Sequence, residues 1–246
     1  MVRIKNKERR KLVKKAVAEI GHRRKKAMKK SIVGFIPARK GSKGILHKNT
    51  QMVAGYPLIA HSILILKAAG IDRVWVSTDS NKIAEIAQKY GARVLMRPSY
   101  LASDDSTTED AISHFLRNVS CNVVVFLQCT SPILTAVSVE KGMHKFFACA
   151  LDSVFSAVPI IDTLIWDAAL QPWNYNPKHR GRRQVRKISG YVETGGFYIF
   201  KKEVFKKYKC RICGRYDVSE VPFWQSFQID NKQDLQFVRK HMKKEN

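Results

Sequence analysis

The chain has 246 residues, 45% of them apolar, and a formal net charge of +25. That length suits one domain with room for a full core and a smaller arm. No run approaches the ~20 apolar residues of a membrane span, no secretory apolar segment stands near the start, and five dispersed cysteines favour a reducing compartment over a disulfide scaffold. Charge is uneven: residues 1–30 carry 14 Lys/Arg against 2 Asp/Glu, leaving the remaining 216 with 31 against 18. The first segment therefore reads as a basic, disordered tail, either a nuclear-localisation or polyanion-binding element or simply a solvated run. A transit peptide would carry more serine. The excess on residues 31–246 suits an enzyme whose substrates are anions.

After the tail, strand and helix periods alternate. Ile32–Ala38 reads as a strand, followed by a loop with two glycines (Gly41, Gly44) and cations at Arg39, Lys43 and Lys48. Glycines let backbone N–H groups approach a ligand, and clustered N–H dipoles with fixed cations make an anion site. A solvated basic loop is the plainer alternative. The loop is neither a Walker A nor a G-x-G-x-x-G sequence. Pro57–Ala69 reads as a helix, Val74–Thr78 as a strand, Asn81–Tyr90 as a helix ending at Gly91, and Arg93–Met96 as a strand. Ser106 to Glu109 offers capping chemistry before a helix running to Val119. Val123–Cys129 is a continuous apolar run, the mark of a central strand buried on both faces. Thr135–Phe147 reads as a helix and Ser153–Pro159 as a strand.

Regularity breaks at Ile160–Val192, rich in Trp, Tyr, Asn and Arg, too long for a simple connector and readable as a functional arm. Gly196–Phe200 and Gln225–Ile229 then read as strands and Gln233–Lys243 as a terminal helix. Such alternation implies a mostly parallel α/β sheet with helices on both faces. Ligands in these sheets bind beyond the carboxyl ends of the strands. Four such ends here are polar: the loop after Pro37, Ser77-Thr78-Asp79, Arg97-Pro98, and Gln128 to Pro132. Cys210-x-x-Cys213 lacks a second pair at zinc spacing and reads as two reduced thiols.

Pro37-Ala-Arg-x-Gly-Ser-Lys-Gly-x-x-x-Lys-Asn49 resembles the opening signature of the CMP-sialic acid synthetases, or N-acylneuraminate cytidylyltransferases. Further landmarks are Trp75 to Asp79, Asp105-Ser-Thr107, Gln128-x-Thr-Ser-Pro132, Pro177-x-x-Arg-x-Arg-Arg-Gln184 and Gly195-x-Phe-Tyr198, so the likeness spans about residues 32–240. The resemblance implies a Rossmann-like nucleotidyltransferase fold with a dimerisation arm at about 160–192. It also implies transfer of CMP from CTP to the anomeric hydroxyl of N-acetylneuraminate, with release of pyrophosphate. By position, Arg39, Lys43, Asn49, Arg97, Ser106 and Gln128 would contact nucleotide or sugar, and Arg180 would be catalytic. Asp230 would hold Mg²⁺ or another divalent cation, with a helix N-cap as its alternative role. Where relatives show Asp-x-Asp this chain has Gln228-Ile-Asp230, which implies weaker metal binding. A homodimer or homotetramer is implied, and the basic tail favours the nucleus over the cytoplasm. Two rivals stand beside this reading. One is the same chemistry on another nonulosonic acid. The other is a weakened homologue that acts as a nucleic-acid-binding or interaction protein through the tail.

Overall fold

A computed structural model describes residues 31–185 and 187–242; the basic tail lies outside them. Seven strands form one sheet, in the order β5-β4-β1-β6-β8-β7-β9. They are β1 (Ile32–Pro37), β4 (Val74–Thr78), β5 (Arg93–Met96), β6 (Val123–Leu127), β7 (Ser153–Ile160), β8 (Gly190–Lys201) and β9 (Tyr216–Glu220). A two-residue pair, β2 (Met52–Val53) and β3 (Tyr56–Pro57), makes a separate hairpin. β1 pairs in parallel with β4 and β6, and β5 with β4; β8 is antiparallel to both its neighbours, while β9 runs parallel to β7.

The expected mostly parallel sheet with helices on both faces is what forms. Helices α1 (Leu58–Ala68), α2 (Asn81–Lys89) and α4 (Ala136–Ala148) cover one face, where Ile59, Ile63, Ile83, Val139 and Phe146 pack on Ile36, Val125 and Ile199. Helices α3 (Thr108–Asn118) and α5 (Lys202–Tyr208) cover the other, with Ile112, Phe115 and Phe205 against Phe35, Phe126 and Phe200. A strand sandwiched this way has no solvent face, which is why β6 is wholly buried and apolar. Gly34 on β1 admits α1 closely, since a Cβ there would press on the Leu66 side chain. The terminal helix α6 (Lys232–His241) closes a smaller cluster in which Leu235 and Val238 meet Ile45, Val53 and Ile229.

Some expectations need correction. Gln225–Ile229 is not a strand: Pro222 leads into a 3-10 turn, Phe223–Ser226. Pro222 lacks an N–H for a ladder, and the buried Gln225 side chain turns inward to accept from Ser138 Oγ (2.7 Å) and donate to Thr135. Within the run expected to cap α3, Thr107 is the N-cap, and it exchanges the reciprocal bonds of a capping box with Asp110. β8 begins at Gly190, well before the expected Gly196, because its first half pairs with the end of β7 through Ile160↔Gly190. α5 and β9 were not legible; α5 buries only Phe205, and β9 buries one of its five residues.

All five cysteines are free. Cys149 and Cys210 are exposed, whereas Cys121, Cys129 and Cys213 are buried. Burial raises the Cys129 thiol to about 12 and the Cys213 thiol to about 11. Titration of the native protein with a disulfide reagent at pH 8 should therefore show two fast thiols, the other three reacting only on unfolding.

Candidate active site

The carboxyl ends of β1, β5 and β6 open on one cleft of about 440 Å³, within the range of small-ligand sites; that of β4, Ser77 to Asp79, does not line it. It draws on the loop after β1, on Arg97, on the start of α3, and on the segment after β6. Its lining includes Arg39, Lys43, Lys48 and Arg97, against one acid, Asp230. Of the residues singled out in the sequence, Arg39, Lys43, Asn49, Arg97, Ser106, Gln128 and Asp230 all line it.

The loop after β1 is fastened at several points. Lys40 N–H donates to Asp79 Oδ1 (2.7 Å), and Asn49 Nδ2 donates to the Arg39 carbonyl (2.9 Å). Gly44 lies against the backbone of Asp230 so closely that a Cβ would overlap the Asp230 carbonyl oxygen. Lys48, whose side chain is mostly buried, donates to the Ile229 carbonyl (3.0 Å) and pairs with Asp230 Oδ1 (3.1 Å). These contacts fix the course of the loop along the cleft, with Lys48 held at Asp230.

Two of those cations already converge on an anion of the chain. Arg39 Nη1 lies 2.9 Å from Asp104 Oδ1 and Lys43 Nζ 3.1 Å from Asp104 Oδ2. Arg39 Nη1 also donates to the Ser103 carbonyl (2.8 Å). Lys43 and Arg39 together hold the Asp104 carboxyl below its ordinary range. A tetrahedral phosphate could take the same two donors, so the carboxylate marks an anion position.

Arg97 is buried, donating from Nη2 to the Ser77 carbonyl (2.9 Å) and from Nη1 to the Leu101 carbonyl (3.3 Å). Its Nε has no hydrogen-bond partner. Burial lowers its guanidinium from the ordinary value; Asp79 opposes that fall and Arg39 adds to it. Ser106 Oγ donates to the same Leu101 carbonyl (2.9 Å). A buried guanidinium held by the end of β4 and by the Ser99–Leu101 turn is a fixed positive group at the cleft wall.

Opposite, Gln128 Oε1 accepts from Thr130 Oγ1 (3.2 Å), which also stands 3.4 Å from Gln228 Oε1. The Gln228 amide nitrogen donates to the Thr194 carbonyl. β8 bulges there: Phe155 pairs with Tyr198, yet Ala157 pairs with Glu193. Gly195 takes a left-handed φ of 66°, and Ser156 Oγ bonds both Thr194 Oγ1 (2.7 Å) and Phe197 N–H (2.9 Å). The bulge turns the Thr194 carbonyl toward Gln228, as bulges beside sites often re-aim groups.

Asp230 is not a helix cap. Asn231 caps α6, and Asp234 completes the box while accepting from the Asp230 and Asn231 amides. The Asp230 carboxylate is thus left to Lys48 and the cleft. Among the described residues no cluster of three or more His, Cys, Asp or Glu could cage a metal. One exposed carboxylate beside a cationic loop does fit Mg²⁺ in its usual manner, with water and substrate phosphates supplying the other ligands.

Arg180 does not line the cleft of its own chain. It is exposed on the 161–189 segment, its guanidinium carbon 5.8 Å from the Tyr175 ring centroid. That segment and the adjoining start of β8 expose Trp166, Leu170, Trp173, Ile188, Tyr191 and Val192. Sequence reading left Asp104 out of the site, held Thr130 only as part of a polar strand end, and counted Lys48 only as a loop cation. Nothing in spacing shows that Asp104 folds back onto Arg39, 65 residues away, whereas Lys48 was signalled by its place beside Asn49.

An α/β sheet with a cationic glycine loop at the end of its first strand, facing an amide-bearing strand end, defines a nucleotidyltransferase architecture. The chain belongs to the cytidylyltransferase family, whose model matches residues 33–160, more than half its length. It is 36% identical over 193 residues to N-acylneuraminate cytidylyltransferase A of Danio rerio, covering 74% of this chain and 44% of the relative. With the N-acylneuraminate cytidylyltransferase of Escherichia coli O18:K1:H7 it shares 30% identity over 230 residues, or 89% and 54%. The chain thus spans about half the length of the curated relatives it matches. In fold it is similar to CMP:2-keto-3-deoxy-manno-octonic acid synthetase complexed with CTP (TM-score 0.62, 20% identity, 85% of this chain and 97% of that one). It is also similar to 4-diphosphocytidyl-2C-methyl-D-erythritol synthase of Anaerococcus prevotii (TM-score 0.59, 15% identity, 87% and 98%).

Proposed function

We propose that the chain transfers CMP from CTP to the anomeric hydroxyl of N-acetylneuraminate. The observation that carries this reading is the convergence of Arg39 and Lys43 on one anion position, in a cleft whose far wall bears Gln128. The likeness to N-acylneuraminate cytidylyltransferases supports the choice of sugar. The sugar oxygen attacks the α-phosphorus, the bridging oxygen to the β-phosphorus leaves with pyrophosphate, and the hydroxyl proton passes to solvent. Such transfers depend on positioning and on cations that meet charge growing on phosphate oxygens. Arg39 and Lys43 grip phosphates; Asn49, Ser106 and Gln128 make polar contacts to nucleoside or sugar, and Arg97 lines the same pocket. Asp230 would hold Mg²⁺, which neutralises triphosphate charge when bound.

Release of pyrophosphate from CTP should require N-acetylneuraminate, and Arg39→Ala should lower kcat/KM for CTP by about 10²–10³-fold, as the loss of one charge-stabilising donor does. No release with any nonulosonic acid would defeat the reading.

Arg180 and the exposed aromatics of its segment belong, on this reading, to an arm that completes the cleft of a second copy. Arg180→Ala and Gln128→Ala are each expected to be inactive. Mixed as co-refolded subunits they should regain activity, because one cleft then combines an intact Gln128 with an intact arm. Absence of complementation would place Arg180 in its own chain's chemistry or outside it. The nucleus is the proposed compartment, on the charge of residues 1–30, and a tagged 1–30 deletion would lose that distribution.

A further inference from the structure

The cationic loop after β1 meets a competing anion from a neighbouring loop. Asp104 accepts from Arg39 and Lys43 at 2.9 and 3.1 Å, and it stands on the loop between β5 and α3 that also contributes Ser106 to the cleft. Its side chain is half exposed, as is much of its partners' surface, so the pairing is screened and reversible. Arg39 holds the same loop a second time through the Ser103 carbonyl. An incoming phosphate chain that uses Arg39 and Lys43 has to displace Asp104.

We infer that Asp104 is a selectivity-determining residue, an internal counter-ion that discounts the binding of every anion to this loop. A ligand with several contiguous phosphates and further contacts in the cleft overcomes the discount, whereas a small anion with one or two charges does not. The device keeps the loop available to a nucleoside triphosphate among abundant lesser anions. Displacement of Asp104 also frees the 103–106 segment, so the loop that carries Ser106 is released by the ligand it then meets. This inference deepens the proposed nucleotide site and rests on it for the identity of the ligand.

The test is calorimetric binding of inorganic tripolyphosphate and of CTP to the full chain, comparing wild type with Asp104→Asn and Asp105→Asn. Asp105 lies next in sequence and makes neither ion pair, so its variant carries the same change in net charge. Asp104→Asn should bind tripolyphosphate about 3–10-fold more tightly than Asp105→Asn does, the range expected for freeing two screened cations. The advantage should shrink as salt is raised. Equal affinities in the two variants, or weaker binding by Asp104→Asn, would overturn the inference. Tighter tripolyphosphate binding without CTP binding would uphold the counter-ion and defeat the nucleotide reading; binding of neither ligand by any variant would defeat both. Unchanged melting temperatures would show that the exposed substitution leaves the fold intact.

Discussion

Gly44→Ala is expected to lower the proposed cytidylyl transfer by about 100-fold or more. The added Cβ would overlap the Asp230 carbonyl oxygen, and backbone cannot swing aside as a side-chain tip can. The loop must then move away from the 228–230 segment, taking Lys43 and Lys48 with it and separating Lys48 from Asp230. Misplacement of a positioning group by about 1 Å costs on the order of 10²-fold in rate. Overpacking should also remove about 1–3 kcal/mol of stability, lowering the melting temperature by about 3–10 °C. Gly41 supplies the control: a Cβ there meets nothing within 4 Å, so Gly41→Ala should melt with the wild type. Steady-state kinetics and thermal melts of the two variants check the argument. Equal behaviour would mean that the close approach of Gly44 to Asp230 is not kept in solution.

Gln228→Glu is expected to destabilise the chain by about 1–3 kcal/mol, the cost of facing a partly buried acceptor with an acceptor. The wild-type amide donates to the Thr194 carbonyl and accepts from Thr130, a division of roles that only an amide fills. An ionised carboxylate keeps the second role and loses the first. The sign of the pH dependence follows. Burial and the facing carbonyl raise the variant's carboxyl above its unfolded value, and a protonated carboxyl regains a donor. The deficit relative to wild type should therefore be full at neutral pH and narrow as pH falls through that raised value. Denaturant melts at pH 7.5 and pH 5 would show it; a variant as stable as wild type at both would mean the amide bond to Thr194 contributes nothing. The family resemblance reads Gln228 as standing where relatives carry a carboxylate. The structure gives its amide a use, fastening the bulge of β8 to the segment that carries Asp230.

Much of the site was legible because its chemistry is local. Arg39, Lys43 and Asn49 sit in one glycine loop, and Arg97 and Gln128 each stand where an apolar strand run stops, a pattern that marks carboxyl ends before any fold is known. The sheet followed from the same alternation, and the strands it named between Ile32 and Pro159 are present, with shifts of a residue or two at their ends. Errors fell where short-range pattern is weak. The stretch around Gln225 looks like a strand, but Pro222 and a buried glutamine made it a turn.

By itself the sequence determined the α/β class and the cationic loop, because periodicity, glycine spacing and charge order are properties of neighbours along the chain, and its motifs carried the family resemblance. Only the tertiary structure decided that Asp104 closes on Arg39 and Lys43, and that Gln228 braces Thr194. It alone decided that the Asp230 carboxylate engages Lys48 instead of capping α6, and that Arg180 stands away from its own cleft. Those pairings join residues 34 to 182 positions apart, or turn on an arm's direction. Contacts of that kind are set by which strand ends the sheet order brings together, and local pattern carries no record of it.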